Sequence, residues 1–496
     1  MKRTVVLLIL DGWGVGRNDI TNAIYAANPE TMDTLARRYP SGTLLASGIA
    51  VGLPWEDAGT GAAGHLTIGA GRTVYQPLPR ITLALRDKSF FANEALTAAM
   101  RHAKKNKSTV HLIGTLSENN ARSSVEHLRA LIQMGWDADI PRIRVHALFT
   151  GGKESPRAAL TLLKKIPWSK TLLLASLMGQ YYVTTKDESR LRAATNALQG
   201  IGARANDPEE YLHDFYLHGM GDEFVEPVTI GPDPRGVEKN DTVIFFDFVN
   251  VGTNNLIQSL KEKNIFVTAM ADCGLPNIPT AFPEGRVENT LGAVLAKNGK
   301  TQFKIAETDR YSHVTYFMNG RSNDALTNEY RLLIPSENVA RKDERPEMMT
   351  KEIANRGIAA IEEGADFVLM NFAAPDVMAH TGNFDATITA VRAADRELRA
   401  VANAVLARGG ALIVTADHGN AEEMRNPVTG ATETGHNKNP VPIVLVAAEL
   451  EKKEGVVPSH ETTAGLLSDI APTVLAFIGL EKPPEMTGSS LIGKLI

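Results

Sequence analysis

Aspartate and histidine side chains follow two of the apolar segments in this 496-residue chain. Asp11 comes directly after the apolar run at residues 4–10, and Asp417 and His418 come just after the run at residues 411–415. Both runs are continuous rather than alternating, which is typical of β-strands that are buried on both faces. Because ligands gather at the carboxyl ends of strands in open α/β sheets, we expect these side chains to face a ligand.

Asp376 and His380 stand four residues apart after another predicted strand, at residues 366–371. If the backbone is helical there, this spacing places both side chains on one face. His436 lies shortly before a further apolar run, at residues 442–447. These positions add one carboxylate and two imidazoles to the predicted set of strand-end residues.

Together the strand ends supply three carboxylates and three imidazoles, enough to bind two divalent metal ions with open coordination positions. Each residue alone is also typical of a turn, a helix cap or an exposed side chain. Mixed oxygen and nitrogen ligands favour Mn²⁺ or Zn²⁺ over Ca²⁺ or Mg²⁺, and two such ions suit an in-line phosphoryl displacement. The predicted metal ligands are Asp11, Asp376, His380, Asp417, His418 and His436.

A glycine-rich segment at residues 59–72 is the other unusual stretch. Glycines permit close backbone approach, and the hydroxyl and amide groups of this segment could face a phosphate or a metal ion. The segment is not a P-loop, because no Gly-Lys-Ser/Thr sequence occurs at the right spacing. A flexible loop is the alternative interpretation.

The elements that must position these residues alternate between apolar β-rich runs and helical patterns. One helix is predicted at about residues 385–408, where apolar residues recur on one stripe before Gly409 and Gly410 end it. This alternation predicts an α/β architecture with mainly parallel sheets. Further strands are predicted at residues 110–114, 144–149, 171–175 and 242–248.

Composition excludes several classes of protein. Hydrophobic residues make up 43% of the chain and charged residues 22%, which excludes a largely disordered protein. The formal net charge of −5 provides no basic field, so we expect neither a nucleic acid nor a membrane as partner. The single cysteine, Cys273, excludes an internal disulfide and a Cys-rich metal site. The apolar amino terminus has no small-residue cleavage site, so a cytoplasmic location is expected.

Long sequence motifs are spread over nearly the whole chain. They are Leu10-Asp11-Gly12-Trp13-Gly14, Gly64-His65-Leu66, Ile68-Gly69-Ala70-Gly71-Arg72, Ala306-Glu307-Thr308, His313-Val314-Thr315, Asn371-Phe372, Pro375-Asp376, His380-Thr381-Gly382-Asn383-Phe384, the segment from Thr415 to Glu422 and Asn439-Pro440-Val441-Pro442. With these motifs the chain resembles the cofactor-independent phosphoglycerate mutases of the alkaline-phosphatase superfamily.

The resemblance implies an α/β fold with two domains. An alkaline-phosphatase-like metal-binding domain would comprise residues 1–75 and 301–496, and a second α/β domain, at residues 76–300, would be inserted into it and bind the substrate. The same resemblance implies that the six residues named above are the metal ligands. It also implies a small phosphorylated substrate and a monomeric enzyme.

The nucleophilic serine of that family is missing from this chain. The family reads Gly-Asn-Ser-Glu-Val-Gly-His, with the serine four residues before the histidine. Here the histidine is His65 and the place of the serine is held by Gly61, which has no side chain to phosphorylate. The neighbouring Thr60 would act as the nucleophile only if the turn shifted by one residue. Otherwise it is a loop hydroxyl that bonds to the backbone.

Most of the arginines that the family uses to bind its substrate are also replaced. The family's Phe-Arg-Pro-Asp-Arg motif, for example, is Phe248-Val249-Asn250-Val251-Gly252 here. Forked arginine side chains bind phosphate and carboxylate groups well, so their loss predicts a changed substrate. The resemblance places the candidate substrate contacts at Arg122, Lys153, Glu154, Gln180 and Lys186.

These features lead to three functional hypotheses. The first is a two-metal enzyme that acts on a different small phosphoryl- or phosphonyl-bearing metabolite, with Arg310 in place of the family's lysine to stabilise charge and His65 to orient nearby groups. A metal-activated water could attack directly, and hydrolysis, transfer, lyase and isomerase reactions all remain open. The second hypothesis is a genuine phosphoglycerate mutase that uses Thr60, and the third is a non-catalytic metal-binding relative.

Overall fold

The structure is a computed structural model that describes residues 3–117, 122–151, 156–232, 235–249, 252–260, 264–426, 428–452 and 463–495. The strands within these ranges are β1 (Val5–Leu10), β2 (Ser41–Leu45), β3 (Val110–Leu116), β4 (Ile143–Phe149), β5 (Leu172–Gly179), β6 (Arg204–Ala205), β7 (Val228–Ile230), β8 (Thr242–Phe245), β9 (Phe266–Ala269), β10 (Gln302–Glu307), β11 (Glu329–Ile334), β12 (Phe367–Phe372), β13 (Ala411–Thr415), β14 (Val441–Val446) and β15 (Thr463–Leu466).

Helices alternate with these strands along the chain. They are α1 (Ala23–Ala27), α2 (Glu30–Arg38), α3 (Gly61–Ala70), α4 (Pro77–Arg86), α5 (Glu94–Asn106), α6 (Val125–Asp137), α7 (Ala159–Lys164), α8 (Glu188–Leu198), α9 (Pro208–Leu217), α10 (Thr253–Leu260), α11 (Leu291–Lys297), α12 (Thr350–Glu362), α13 (Ala374–Thr381), α14 (Phe384–Ala407), α15 (Ile470–Ile478) and α16 (Ile492–Leu495).

The chain divides into two compact units, each with its own sheet. The first unit comprises Met1–Gln76 and Gly285–Ile496, and the second comprises Pro77–Glu284. The sequence-based boundaries lay at 75/76 and 300/301. The second division falls earlier in the structure because α11 contacts α3 and β10, which both belong to the first unit.

The first unit contains an eight-stranded sheet in the order β11-β10-β12-β1-β13-β14-β2-β15. The first five of these strands run parallel, and β14 is antiparallel to both of its neighbours. Every residue of β1 and β13 is buried, which explains their continuous apolar sequences. The α/β class predicted from the sequence is confirmed.

The predicted strands and the long helix α14 are present, with boundaries that differ by a few residues. Strand β10 escaped prediction because Lys304 interrupts its apolar pattern. In the structure this lysine is buried, donates a hydrogen bond to Asn319 and lies 3.3 Å from the carboxylate of Glu329. A lysine whose charge is paired in this way can lie in a buried strand. From the sequence alone, a lysine at this position indicates an exposed side chain.

The second unit contains a seven-stranded sheet in the order β6-β7-β5-β4-β3-β8-β9, which is parallel except where β7 meets β5. Helices α4 to α10 belong to this unit. None of the helices in the described part of the chain combines the length and the apolar composition that crossing a membrane requires.

A chain of four buried polar side chains crosses the sheet of the second unit. Ser176 Oγ lies 2.7 Å from His146 Nδ1, His146 Nε2 lies 2.9 Å from His111 Nδ1, and His111 Nε2 lies 3.2 Å from Asp241 Oδ2. One tautomer assignment satisfies all three hydrogen bonds, with the proton donated in each case toward Asp241 and with both imidazoles neutral.

This chain of side chains predicts that the second unit loses stability in acid. Burial lowers the pKa of His111 and lowers that of His146 well below the ordinary value of 6.5. The unfolded chain therefore binds more protons below pH 6.5, and the free energy of unfolding falls as the pH falls, by about 1.4 kcal/mol per pH unit for each proton. Urea unfolding followed from pH 7 to pH 5 measures this slope.

The His146→Gln variant should show a shallower slope over the same range, whatever its stability at pH 7. His213→Gln is the control, because His213 is exposed in the same unit. Equal slopes for the wild-type protein and His146→Gln would contradict the assignment of a neutral buried imidazole.

Candidate metal centre and active site

Three buried carboxylates meet at one edge of the first sheet. Asp11 follows β1, Asp376 lies on α13 directly after β12, and Asp417 follows β13. Since β12, β1 and β13 are adjacent and parallel, their carboxyl ends bring the three residues together. All three are 0% exposed.

Asp376, His380 and His436 form the first group of potential ligands. Helix α13 places His380 one turn after Asp376, and His380 Nε2 lies 3.2 Å from Asp376 Oδ2 and 3.0 Å from His436 Nε2. The Nδ1 atoms of the two histidines donate to the carbonyl oxygens of Thr434 and Gly59, each over 2.8 Å. Both Nε2 lone pairs are thereby turned toward each other, as in two ligands of one ion.

Asp11, Asp417 and His418 form the second group. His418 Nε2 lies 3.7 Å from Asp11 Oδ1 and 3.5 Å from Asp417 Oδ2. His418 also belongs with Asp376 and His436, since ligand atoms of these three lie within 4.8 Å of one another. The six residues therefore form one continuous cluster with two overlapping centres.

The donor set fits divalent cations. Asp11 Oδ1 and Asp417 Oδ2 are buried without a hydrogen-bond donor among the described residues, although His65 Nδ1 lies 3.2 Å from the latter. Buried carboxylate oxygens without a donor are costly unless a cation faces them. The mixture of carboxylate and imidazole also suits a transition-metal or zinc ion.

Arg310 bridges the two groups of ligands. Its Nε donates to Asp11 Oδ2 over 2.9 Å, and one terminal nitrogen donates to Asp376 Oδ2. Its other terminal nitrogen donates to the carbonyl oxygen of Asp309, 3.2 Å away. The guanidinium thus lies between the carboxylates, where the sequence placed a cation.

The charges of the cluster shift its proton affinities. Burial raises the pKa of Asp11 to about 6, an effect that Arg310 partly offsets and that the neighbouring carboxylates strengthen. Burial would also raise the pKa of Asp417, but His418 and His65 outweigh it and hold that pKa well below its usual range. Burial lowers the pKa of His418, yet the surrounding carboxylates raise it above its ordinary value.

Two asparagine amides hold the carboxylates in place. Asn371 Nδ2 donates to Asp11 Oδ2 over 2.8 Å, and Asn420 Nδ2 donates to Asp376 Oδ1 over 2.7 Å. Both asparagines belong to motifs of the family resemblance. Neither was predicted as a site residue, because an amide side chain alone does not indicate a metal site. Such outer hydrogen bonds orient metal ligands.

His65 is buried beside the cluster of carboxylates. It is 0% exposed on α3, where Nδ1 lies 2.8 Å from the carbonyl oxygen of Gly61 and Nε2 lies 3.2 Å from Asn371 Nδ2. With Asp417 3.2 Å from Nδ1, the ring contacts one of the potential metal ligands. The orienting role of His65 stays a prediction. Its contacts with Asn371 and Asp417 are the ones through which it would act.

The glycine-rich segment is an ordered helix start, so the alternative of a flexible loop is wrong. Thr60 is the N-cap of α3 and its hydroxyl accepts a hydrogen bond from the Ala63 amide over 3.2 Å. A Cβ atom built on Gly64 would overlap the backbone of Asp417. Glycine is therefore required where α3 passes the loop after β13.

The position of the missing serine faces the second group of ligands. A Cβ atom built on Gly61 would lie 3.3 Å from Asp417 Oδ2 and 2.7 Å from His313 Nε2. The imidazole of His313 thus occupies the space into which a side chain at position 61 would extend. His313 was not predicted as a site residue, since 252 residues separate it from Gly61 and its motif carried no assigned role.

Two of the five predicted substrate contacts meet in the second unit. Arg122 donates a hydrogen bond to Gln180 Oε1, and Gln180 Nε2 donates to the carbonyl oxygen of Thr150 over 3.0 Å. Lys186 is exposed. The other two, Lys153 and Glu154, lie outside the described residues.

The comparisons with known proteins all identify metalloenzymes or phosphoglycerate mutases as similar to this chain. The model of the metalloenzyme superfamily matches residues 3–482. The chain is 40% identical to the 2,3-bisphosphoglycerate-independent phosphoglycerate mutase of Clostridioides difficile (strain 630), with all of both chains covered. It is 39% identical to the enzyme of the same name from Clostridium botulinum (strain Langeland), with 99% of each chain covered.

A solved structure of Leishmania mexicana phosphoglycerate mutase at low cobalt concentration is similar to this fold, with a TM-score of 0.59 and 26% sequence identity. The match covers 99% of this chain and 97% of that one.

Replacing a residue of the second group tests whether that group holds a metal ion of its own. Asp417→Asn removes the charge that faces His418, so metal bound per chain should fall from two ions to one, or the weaker affinity should fall at least ~100-fold. Mass-spectrometric metal analysis after equilibrium dialysis against Mn²⁺ or Zn²⁺ measures both quantities.

Asp395→Asn is the matched control. Asp395 is also a buried carboxylate of the first unit, but it accepts hydrogen bonds from the backbone amides of Thr31 and Met32. Its replacement should leave the metal content unchanged. Wild-type metal content in Asp417→Asn would contradict the proposed second centre.

Proposed function

Since the chain belongs to the 2,3-bisphosphoglycerate-independent phosphoglycerate mutase family and is a metal-dependent enzyme of the phosphoryl-transfer type, we propose that it transfers a phosphoryl group without a covalent phosphoenzyme at position 61. The proposed substrate is a small phosphorylated or phosphonate metabolite other than phosphoglycerate. The acceptor is water or a second oxygen of the substrate. The bond that breaks joins phosphorus to the ester oxygen or, in a phosphonate, to carbon, and the leaving group takes up the proton that the acceptor releases.

The main support for this proposal is the glycine at position 61. Position 61 faces Asp417 and the second group of ligands, which is where a nucleophile would act, and the residue there is glycine. The imidazole of His313 fills the adjacent space, so a neighbouring hydroxyl cannot enter it without displacing that ring. A direct attack on phosphorus needs no protein nucleophile at this point.

The metal ions would be held by the six aspartate and histidine ligands of the cluster. When bound, they supply Lewis acidity for phosphoryl oxygens and lower the pKa of a bound water molecule. We propose two ions because the ligands form two overlapping groups, and Mn²⁺ or Zn²⁺ because the donors are mixed oxygen and nitrogen atoms.

The surrounding residues supply the remaining functions. Arg310, fixed by three hydrogen bonds, places a positive charge where the phosphoryl group gains negative charge. Helix α3 begins at Gly61, beside Asp417, and the amino terminus of a helix favours a nearby anion. Burial, strengthened by Arg310 nearby, lowers the pKa of His313 to about 3, so a neutral ring there would orient an attacking oxygen through a hydrogen bond and would not take up its proton.

The changed second unit supports a changed substrate. Gln180 and Gly252 stand where the family resemblance leads us to expect arginines, and Arg122 is fixed through Gln180 to a backbone carbonyl. A single guanidinium in this arrangement binds one anionic group of a substrate less tightly than several forked arginines would. The expected monomeric state and cytoplasmic location stay predictions.

A second candidate function is a phosphoglycerate mutase that uses Thr60. It is favoured by the 40% identity over the full length of a named mutase, and by the place of Thr60 at the start of the same helix. Against it, the Thr60 hydroxyl already caps α3.

The role of Thr60 separates the two candidates. Under our proposal Thr60→Val keeps at least about half of the activity on the best substrate found among small phosphate esters and phosphonates, and acid-quenched enzyme contains no phosphothreonine. If Thr60 is the nucleophile, Thr60→Val abolishes turnover of 3-phosphoglycerate coupled to enolase, and mass spectrometry finds phosphate on Thr60.

Thr290→Val is the control for a lost helix cap. Thr290 caps α11 in the same unit, and its hydroxyl accepts from the Ala293 amide over 3.3 Å. Each variant should lose about 0.5–2 kcal/mol of stability, so any further loss of turnover in Thr60→Val reflects chemistry.

Filling the space at position 61 tests the contact with His313. In Gly61→Ala the new Cβ atom meets His313 Nε2 at 2.7 Å and displaces the ring, so kcat should fall ~10- to 100-fold. Gly435→Ala is the control beside His436, because a Cβ atom there meets nothing within 4 Å. Wild-type kcat in Gly61→Ala would show that this space takes no part in the reaction.

A further inference from the structure

A buried carboxylate that is not among the six potential metal ligands lies between the loops that carry them. Glu422 is 1% exposed and comes four residues after His418. A buried glutamate is costly unless its oxygens are paired, so its hydrogen-bond partners indicate its role.

One oxygen of Glu422 joins the loops that follow β1 and β13. Its Oε2 accepts a hydrogen bond from the amide of Gly14, in the loop that begins at Asp11. The same oxygen accepts from the amide of Asn420, in the loop that carries Asp417. Both bonds measure 2.9 Å, so a single atom ties together the main chains of two loops that bear ligands.

The other oxygen joins the segment that carries His436. Asn439 lies three residues after this histidine, and its Nδ2 donates to Glu422 Oε1 over 3.0 Å. A Cβ atom built on Gly419 would overlap both Glu422 Oε1 and the side chain of Asn437. The loop after β13 and the segment before β14 therefore meet at this carboxylate.

Asp376 is connected to Glu422 through Asn420. Asn420 Nδ2 donates to Asp376 Oδ1 over 2.7 Å, while the amide of the same asparagine donates to Glu422. The place of the asparagine side chain, and with it the bond to Asp376, thus depends on a main chain that Glu422 holds.

These contacts assign Glu422 to the surroundings of the ligands. Both of its oxygens accept hydrogen bonds from N–H donors, and its carboxylate fills the space beside Gly14, where a Cβ atom would overlap it. Hydrogen bonds of this kind orient metal ligands from outside, and their loss typically lowers metal affinity.

We propose that Glu422 is a positioning residue, which holds the loops bearing Asp11, Asp417 and His436 at the spacing that two metal ions require. The proposal rests on the proposed metal centre and holds for either acceptor of the phosphoryl group. Glu422 contacts neither the ions nor the substrate in this role, and it needs no movement. Its replacement should weaken metal binding by the folded protein, because the ligands are then no longer aligned before an ion binds.

Two replacements of Glu422 separate positioning from charge. Glu422→Ala removes all three hydrogen bonds, so the affinity for the weaker of the two Mn²⁺ ions should fall ~10- to 100-fold. Glu422→Gln removes the same charge but keeps a carbonyl oxygen, which the two main-chain amides favour in the place of Oε2, so the affinity should fall only ~3- to 5-fold. Equilibrium dialysis of the full chain against Mn²⁺ measures both affinities. Equal losses in the two variants would show that only the charge matters and would overturn the proposal.

Glu423→Ala is the matched control. Glu423 is the next residue and also accepts from Asn439 Nδ2 over 3.0 Å, but within the described part of the chain its carboxylate accepts no hydrogen bond from Gly14 or Asn420. The control removes a charge beside the same loop, and its Mn²⁺ affinity should stay within ~3-fold of the wild-type value. A loss as large as that in Glu422→Ala would overturn the proposal.

Asn439→Ala keeps the proposal testable if Glu422→Ala does not fold. Asn439 is partly exposed, and its replacement leaves the two main-chain bonds of Glu422 in place. It breaks the same bond as Glu422→Gln, so the double variant should lose no more Mn²⁺ affinity than the weaker-binding single variant. Losses that multiply in the double variant would overturn the proposal.

A purely structural role for Glu422 predicts a different pattern. Thermal unfolding of the metal-free protein would then begin at a lower temperature in Glu422→Ala, while the folded variant would bind Mn²⁺ as the wild-type protein does. That result would overturn the positioning role alone. A wild-type protein that binds no Mn²⁺ would overturn the metal centre and this proposal with it, so the two failures are distinguishable.

Discussion

The structure depends on three buried carboxylates that share one edge of a parallel sheet. Two unit charges 4 Å apart interact with about 4 kcal/mol even at an effective dielectric constant of 20, so Asp11, Asp376 and Asp417 cannot remain together without cations. Arg310 supplies one positive charge between them, and two of the carboxylate oxygens still lack a donor within the part of the chain that the structure describes. A cluster of this kind is electrostatically reasonable as a set of metal ligands and is costly as anything else.

Close backbone packing around these charges follows from the same constraint. The loop after β1 and helix α3 both pack closely against the loop after β13. Gly14 makes room for Glu422, and Gly64 makes room for Asp417. The glycines of the conspicuous segment therefore serve the metal ligands through helix packing, rather than through a phosphate-binding loop of the P-loop type.

The sequence predicted what local chemistry determines and missed what distant contacts determine. Asp11 and Asp417 were predictable because each follows an apolar run whose only plausible structure is a buried strand. Strand β10 was not predictable from its pattern, because the pairing of Lys304 with Glu329 depends on a neighbouring strand. His313 was also missed, since only the folded chain brings it beside Gly61. The contacts of Arg310 with two carboxylates likewise needed the fold.

Glycine in the place of the family's serine is chemically compatible with the presence of all six potential metal ligands. A covalent mechanism needs a hydroxyl that can approach both the second group of ligands and the phosphorus, and the glycine at position 61 has no side chain to supply it. In the proposed mechanism, the ligands, the guanidinium of Arg310 and the start of α3 would have a different task, which is to stabilise charge on the phosphoryl oxygens. That task is the same whether the attacking oxygen belongs to a serine, a water molecule or the substrate itself. Under that mechanism, loss of the nucleophile would change the route of the phosphoryl group and leave intact the electrostatic site that makes its transfer possible.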